Sequence, residues 1–150
     1  MTELQHFIVD ASVAIKLFIE QPLSDRAIAL FDQLDSDFPP KLYVPDLFFI
    51  ECANVLWQYV RRTNYPADKA RQDITNLKEF ALEVTPTGEL VTEALNLAIA
   101  HQISAYDACY LALSQRCNAV LITADQKLLQ ALNGGSYLVR SLVQQTDDTP

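Results

Sequence analysis

Two short runs constrain this chain more than anything else in it: Phe7-Ile8-Val9 near the start and Ala119-Val120-Leu121-Ile122 near the end. Both are apolar at every position, without the alternation of a half-exposed strand, so they suit strands buried on both faces of a parallel sheet. Parallel neighbours need long crossovers, usually helical. The chain between the two runs supplies them. Ala67, Ala70, Ile74, Leu77 and Ala81 follow Pro66 at helical spacing, and Leu90, Ala94, Leu97 and Ala98 do so after Gly88. Leu47 to Arg62 and Tyr106 to Cys117 also read as helices, with Leu42-Tyr43-Val44 and Leu82-Glu83-Val84 as weaker strand candidates. Alternation of this kind predicts an α/β layered domain around a mainly parallel sheet.

The chain has 150 residues, half of them apolar, enough to bury a core without cross-links, and one domain is expected. Pro39-Pro40 and Gly134-Gly135 punctuate loops. Residues 146–150, Thr-Asp-Asp-Thr-Pro, are composed for disorder, which leaves 1–145 as the folded unit. No apolar run reaches the roughly 20 residues of a membrane span, and the N-terminus lacks the basic start and apolar stretch of a secretory signal, so a cytoplasmic protein is expected. Cys52, Cys109 and Cys117 form an odd set within apolar helical patterns, with no metal-type spacing, and are expected to be buried, reduced thiols. His6 and His101 stand in no relation to a serine or cysteine nucleophile and are read as ordinary surface or edge residues.

Four acids carry the chemistry. Asp10 directly follows the first apolar run and Asp125 closely follows the last. In open parallel sheets the functional crevice lies beyond the carboxyl ends of the strands, so these two carboxylates meet if their strands are neighbours. Each also has a plain structural reading as a helix N-cap, ahead of Ala11-Ser12-Val13 and of Gln126-Lys127-Leu128. Glu51 interrupts a strongly apolar helix between Phe48-Phe49-Ile50 and Cys52-Ala53, and shares a narrow polar stripe with Asn54 and Gln58. Asp107 opens the apolar helix Ala108–Leu113, where a first-turn acid favoured by the helix dipole is the alternative reading.

Oxygen donors of this kind suit hard divalent cations such as Mg²⁺ or Mn²⁺. Such an ion makes phosphodiester hydrolysis feasible without a side-chain nucleophile. Carboxylates gathered closely repel one another, so at least one is expected to titrate with a raised, shared pKa. The formal charge of -8 argues against general nucleic-acid binding, which draws on a surplus of Lys and Arg. If four of the nineteen acids are ligands, fifteen face eleven bases, and the surplus shrinks to four before any ion is counted.

These residues resemble the PIN-domain ribonucleases, and within them the VapC-type toxins of toxin–antitoxin pairs. The resemblance spans nearly the whole chain. It is carried by Ile8-Val9-Asp10-Ala11-Ser12, by Pro45 with Glu51-Cys52-Ala53-Asn54, by Ala105-Tyr106-Asp107-Ala108-Cys109-Tyr110-Leu111-Ala112, and by Leu121-Ile122-Thr123-Ala124-Asp125-Gln126-Lys127-Leu128. It implies a three-layer α/β/α sandwich, Mg²⁺ or Mn²⁺ held by Asp10, Glu51, Asp107 and Asp125, and cleavage of single-stranded RNA, with Ser12, Asn54 and Thr123 as polar neighbours of the site. It further implies a homodimer and a cognate antitoxin protein that silences the enzyme, often through an arginine reaching the carboxylates.

Other readings remain open. A haloacid-dehalogenase-type phosphatase calls for an aspartate two residues after Asp10, where this chain has Ser12, and a phospho-receiver calls for a strand-end lysine where it has Asp125. A housekeeping RNA-processing nuclease, or a PIN-like module kept only for binding, would preserve the same fold.

Overall fold

The computed structural model describes residues 6–143; the expected tail, 146–150, lies outside the described residues. Five strands form one wholly parallel sheet in the order β3-β2-β1-β4-β5. They are β1 (His6–Val9), β2 (Lys41–Pro45), β3 (Leu82–Thr85), β4 (Val120–Thr123) and β5 (Val139–Ser141). Seven α-helices flank it: α1 (Ala11–Ala14), α2 (Ser24–Asp32), α3 (Leu47–Thr63), α4 (Ala67–Leu77), α5 (Val91–His101), α6 (Ala105–Cys117) and α7 (Gln126–Ala131). The crossovers run outwards from β1 in both directions, and with the right-handedness that parallel crossovers follow as a rule they put helices on both faces, in a three-layer α/β/α sandwich.

The two apolar runs prove to be the centre of the sheet. β1 pairs with β2 on one side and β4 on the other, with Ile8 opposite both Tyr43 and Leu121. Phe7, Ile8, Val9, Leu121 and Ile122 are all fully buried. The weaker candidate Leu82-Glu83-Val84 is the edge strand β3, where Glu83 and Val84 are exposed. The other edge, β5, had no signal in the sequence, being three residues long with Arg140 at its centre.

Helix α6 is buried on every side from Ala108 to Ser114 and packs on β1, β2 and β4, as a helix apolar all round must. It stops at Asn118, which takes the left-handed conformation (φ 51°) that asparagine tolerates. The Ser114 hydroxyl then donates to the Ala119 carbonyl at 2.5 Å. That stop turns the chain directly into β4 beside β1. The chain visits β2 and β3 on one side of β1 before crossing to β4 and β5, so the strand order reverses between β1 and β4. The crevice of a parallel sheet opens at such a switch point, beyond the strands' carboxyl ends.

Leu121 is fully buried between Ile8 and Val139 in the sheet. Leu121→Ala is expected to lower unfolding free energy by about 2–5 kcal/mol in a urea titration. A loss under about 1 kcal/mol would contradict this placement of β4.

Candidate active site at the carboxyl edge of the sheet

Asp10 is the first residue after β1 and is 7% exposed. Its Oδ1 accepts from the Ser12 amide at 3.1 Å and the Ser12 hydroxyl at 2.5 Å, and its Oδ2 accepts from the Thr123 hydroxyl at 2.5 Å. Each hydroxyl spends its one proton on Asp10 and uses its oxygen elsewhere. Ser12 Oγ accepts from the Ala124 amide at 3.0 Å, and Thr123 Oγ1 from the Asp125 amide at 3.1 Å. The end of β1 is thereby tied to the end of β4. Burial pushes the Asp10 carboxyl up to about 6, the two hydroxyl hydrogen bonds oppose that rise, and the charges of Asp107 and Asp125 add to it.

Asp125 lies two residues beyond β4 and caps α7, its Oδ1 accepting from the Lys127 and Leu128 amides at 2.9 and 3.2 Å. Asp107 sits in the first turn of α6, whose cap is Ser104, with the Asp107 amide donating to Ser104 Oγ at 3.0 Å. Burial first, and the Asp125 charge second, raise the Asp107 carboxyl. The cap and first-turn readings of these acids are therefore correct, yet they do not compete with a common site. Helices α1, α6 and α7 all begin at the same sheet edge, and their N-terminal acids arrive there together.

Glu51, half-buried on α3, completes the group. Burial raises its carboxyl, the Tyr110 hydrogen bond lowers it, and the Asp107 and Asp10 charges raise it again. The four acids form one connected electrostatic cluster: Asp10 feels Asp107 and Asp125, Glu51 feels Asp107 and Asp10, and Asp107 feels Asp125. Mutual repulsion is present, as expected from sequence, but burial is the larger cause of every resolved shift.

Tyr110, to which the sequence alone assigns no role, is a direct neighbour of the cluster. It is 1% exposed, and its hydroxyl donates to Glu51 Oε1 at 2.7 Å, linking α6 to α3. Burial and the Glu51 charge hold the phenol far above its usual pKa, so it stays a neutral donor. A signal existed: a tyrosine three residues after Asp107, inside a wholly apolar helix, needs a partner for its hydroxyl. Asn54 is exposed beside Glu51 in an open groove of about 680 Å³.

Cys52 and Cys109 are buried free thiols, with Cys109 pushed up to about 11 by burial, and neither is a nucleophile at neutral pH. Cys117, at the last residue of α6, is only half-buried, since the helix is already emerging from the core there. The His101 ring meets the Tyr137 hydroxyl at 2.5 Å, and His6 stacks obliquely near Tyr43.

The donor set consists of hard carboxylate oxygens, and the ion pairs among the described residues, Arg71–Asp68 and Arg116–Glu89, include none of the four acids. A cluster of one buried and three half-buried acids, with no cationic partner among the described ion pairs, suits a divalent ion. As the side chains stand, no three acidic, thiol or imidazole groups among the described residues close around one point tightly enough to hold an ion.

The PIN domain family model matches residues 7–132. Ribonuclease VapC3 of Pyrobaculum aerophilum is 33% identical over 125 residues, covering 82% of this chain and 92% of the relative. Among solved structures, PAE2754 from Pyrobaculum aerophilum superposes with a TM-score of 0.65 at 22% identity, over 97% of this chain and 91% of that one. A toxin–antitoxin complex from Klebsiella pneumoniae gives a TM-score of 0.63 at 15% identity, over 91% and 97%.

The raised Asp10 value fixes a sign. A folded-state carboxyl titrating near 6, against 3.8 ordinarily, contributes stability that is fully present below the lower value and lost as pH rises through the higher one. In metal-free buffer, the stability of the native chain relative to Asp10→Asn should therefore fall between about pH 4 and 7, by up to about 3 kcal/mol. Paired thermal melts across that range check it, and a flat difference would contradict the buried-carboxyl assignment.

Proposed function

This chain belongs to the PIN-domain family, and from that premise we propose that it is a Mg²⁺- or Mn²⁺-dependent endoribonuclease acting on single-stranded RNA, the toxin of a toxin–antitoxin pair. The observation that carries this reading is the convergence of Asp10, Glu51, Asp107 and Asp125 at the switch point of the sheet. The ribonuclease name of the relative at 33% identity supports the activity. The complex architecture of the Klebsiella neighbour supports an antitoxin partner.

When bound, a divalent ion supplies a water of lowered pKa and neutralises charge on the attacked phosphate. The residues of the chain divide the remaining work. Ser12 fixes Asp10 Oδ1 through both its amide and its hydroxyl, and Thr123 fixes Oδ2 through one hydrogen bond, which leaves Oδ2 with further acceptor capacity. Tyr110 fixes Glu51 through Oε1. Asp107 stands in the first turn of α6 and Asp125 caps α7, so both carboxylates reach the crevice from helix N-termini. Asp10, Glu51, Asp107 and Asp125 would be the residues to hold such an ion, with water as further ligands, as is common for Mg²⁺. A homodimer is part of the same proposal, and an antitoxin arginine would find in this acidic crevice a charge-assisted, two-pronged partner.

The purified chain should cleave single-stranded RNA with Mg²⁺ or Mn²⁺ and stop in excess EDTA. Asp10→Asn should abolish both cleavage and the growth arrest caused by expression without the antitoxin, while circular dichroism shows the fold retained. Undiminished cleavage in EDTA, or equal toxicity of the folded variant, would overturn the mechanism.

Asp107→Asn removes one repelling charge at nearly constant shape. It should raise the melting temperature in EDTA, by an amount corresponding to at most about 1 kcal/mol for a half-exposed group, and should weaken the stabilisation that Mg²⁺ gives by mass action. If Asp107 served only the helix dipole, the variant would melt lower in EDTA, by about 0.3–1 kcal/mol, and respond fully to Mg²⁺.

A further inference from the structure

An apolar groove continues directly from the carboxylate cluster. Glu51 belongs to both, and so does the neighbourhood of Asp10, since Ala11 lines the groove. Beyond Glu51 the lining is Ile50, Asn54 and Trp57 from α3 and Tyr106 from α6, the residue before Asp107. Three of these are large and exposed: Ile50 at 69%, Trp57 at 54% and Tyr106 at 65%. Exposed apolar groups gathered beside a reactive site mark a surface that binds something.

The order of residue types indicates what. Ile50, Asn54, Trp57 and Arg61 fall at i, i+4, i+7 and i+11 on α3 and so share one stripe, about 16 Å long from end to end. It reads apolar, amide, indole, guanidinium. The Arg61 guanidinium lies over the Trp57 ring, 5.8 Å from its centroid. An indole and a phenol offer flat faces to a base, the amide offers paired donor and acceptor groups to a base edge, and the guanidinium suits a phosphate. In duplex RNA the base faces are already stacked, so only a single strand presents them to such a surface.

We propose that this groove is a nucleobase subsite for single-stranded RNA, in which Trp57 and Tyr106 stack on a base flanking the scissile phosphate, Asn54 addresses its edge and Arg61 meets a neighbouring phosphate. The inference rests on the ribonuclease reading of the adjoining carboxylates. It also accounts for how a chain with a net charge of -8 holds an anionic polymer. Stacking is sequence-tolerant and needs no surplus of positive charge, and its affinity survives added salt better than phosphate contacts do.

Trp57 is the only tryptophan in the chain, so its fluorescence reports on the groove alone. Titration with a single-stranded oligoribonucleotide in Mg²⁺ should quench it, and an abasic residue at one position next to the cleavage point should remove the quenching. Trp57→Ala and Tyr106→Ala should each raise KM about tenfold with kcat within about threefold of the native value, whereas Trp57→Phe should retain most of the native KM. Melts in EDTA and Mg²⁺ should be unchanged, because both side chains are exposed. Active alanine variants with native KM and no quenching of the native protein would overturn the subsite while leaving the ribonuclease reading intact. Native KM together with lost self-association would assign the face to a second copy, and native KM with lost antitoxin binding would assign it to the antitoxin. If the native protein cleaves no RNA at all, the ribonuclease reading fails, and the presence or absence of quenching still decides the groove.

Discussion

Asp10 is buried where β1 and β4 end side by side, with a hydroxyl from each side bonded to it, and much of the molecule is arranged around making that burial tolerable. A carboxylate in such a place costs several kcal/mol unless its oxygens are satisfied. Ser12 and Thr123 satisfy them, and both hydroxyls are themselves held by backbone amides of the segment after β4. The network needs β1 and β4 adjacent and in register, Ile8 against Leu121. That in turn needs α6 to end at Asn118 and deliver the chain into the sheet. The site is thus a consequence of the crossover that reverses the strand order.

The same geometry explains why capping a helix and reaching the common crevice are not rival roles. A helix N-terminus presents unpaired amides and a positive dipole end, so an acid placed there is stabilised before any cation arrives. Asp10 and Asp125 accept from such amides as the caps of α1 and α7, and Asp107 lies in the first turn of α6, capped by Ser104. Glu51 has no helix terminus to help it and is held by the Tyr110 phenol instead. What the caps do not remove is the cost of burial and of shared negative charge, which the divalent ion proposed above would relieve.

Sequence patterning revealed the centre of this fold well and its margins poorly. The uninterrupted apolar runs identified β1 and β4 because strands buried on both faces have no polar positions to blur the pattern, and all four acids were legible as breaks in apolar surroundings. The edge strand β5 was not, since three residues including Arg140 carry no periodicity. Helix α2 likewise left no distinct signal. Tyr110 was hidden because a tyrosine in an apolar helix looks like core, and only the fold brings its hydroxyl to Glu51. Likewise, the stripe of Ile50, Asn54, Trp57 and Arg61 becomes a groove only when Tyr106 arrives from α6.

The central claim is that the buried Asp10 carboxyl and its three acidic neighbours form a single divalent-cation site. Metal ligation requires the deprotonated carboxylate, so binding to a group held near 6 must expel a proton in mildly acid solution. Calorimetric titration of Mn²⁺ at pH 5.5 in buffers of different ionisation enthalpy counts that proton directly. The account predicts saturable binding with roughly half a proton or more released per ion, a release that fades by pH 8 and is lost in Asp10→Asn. Binding that releases no proton at pH 5.5, or that persists unchanged in Asp10→Asn, would contradict it.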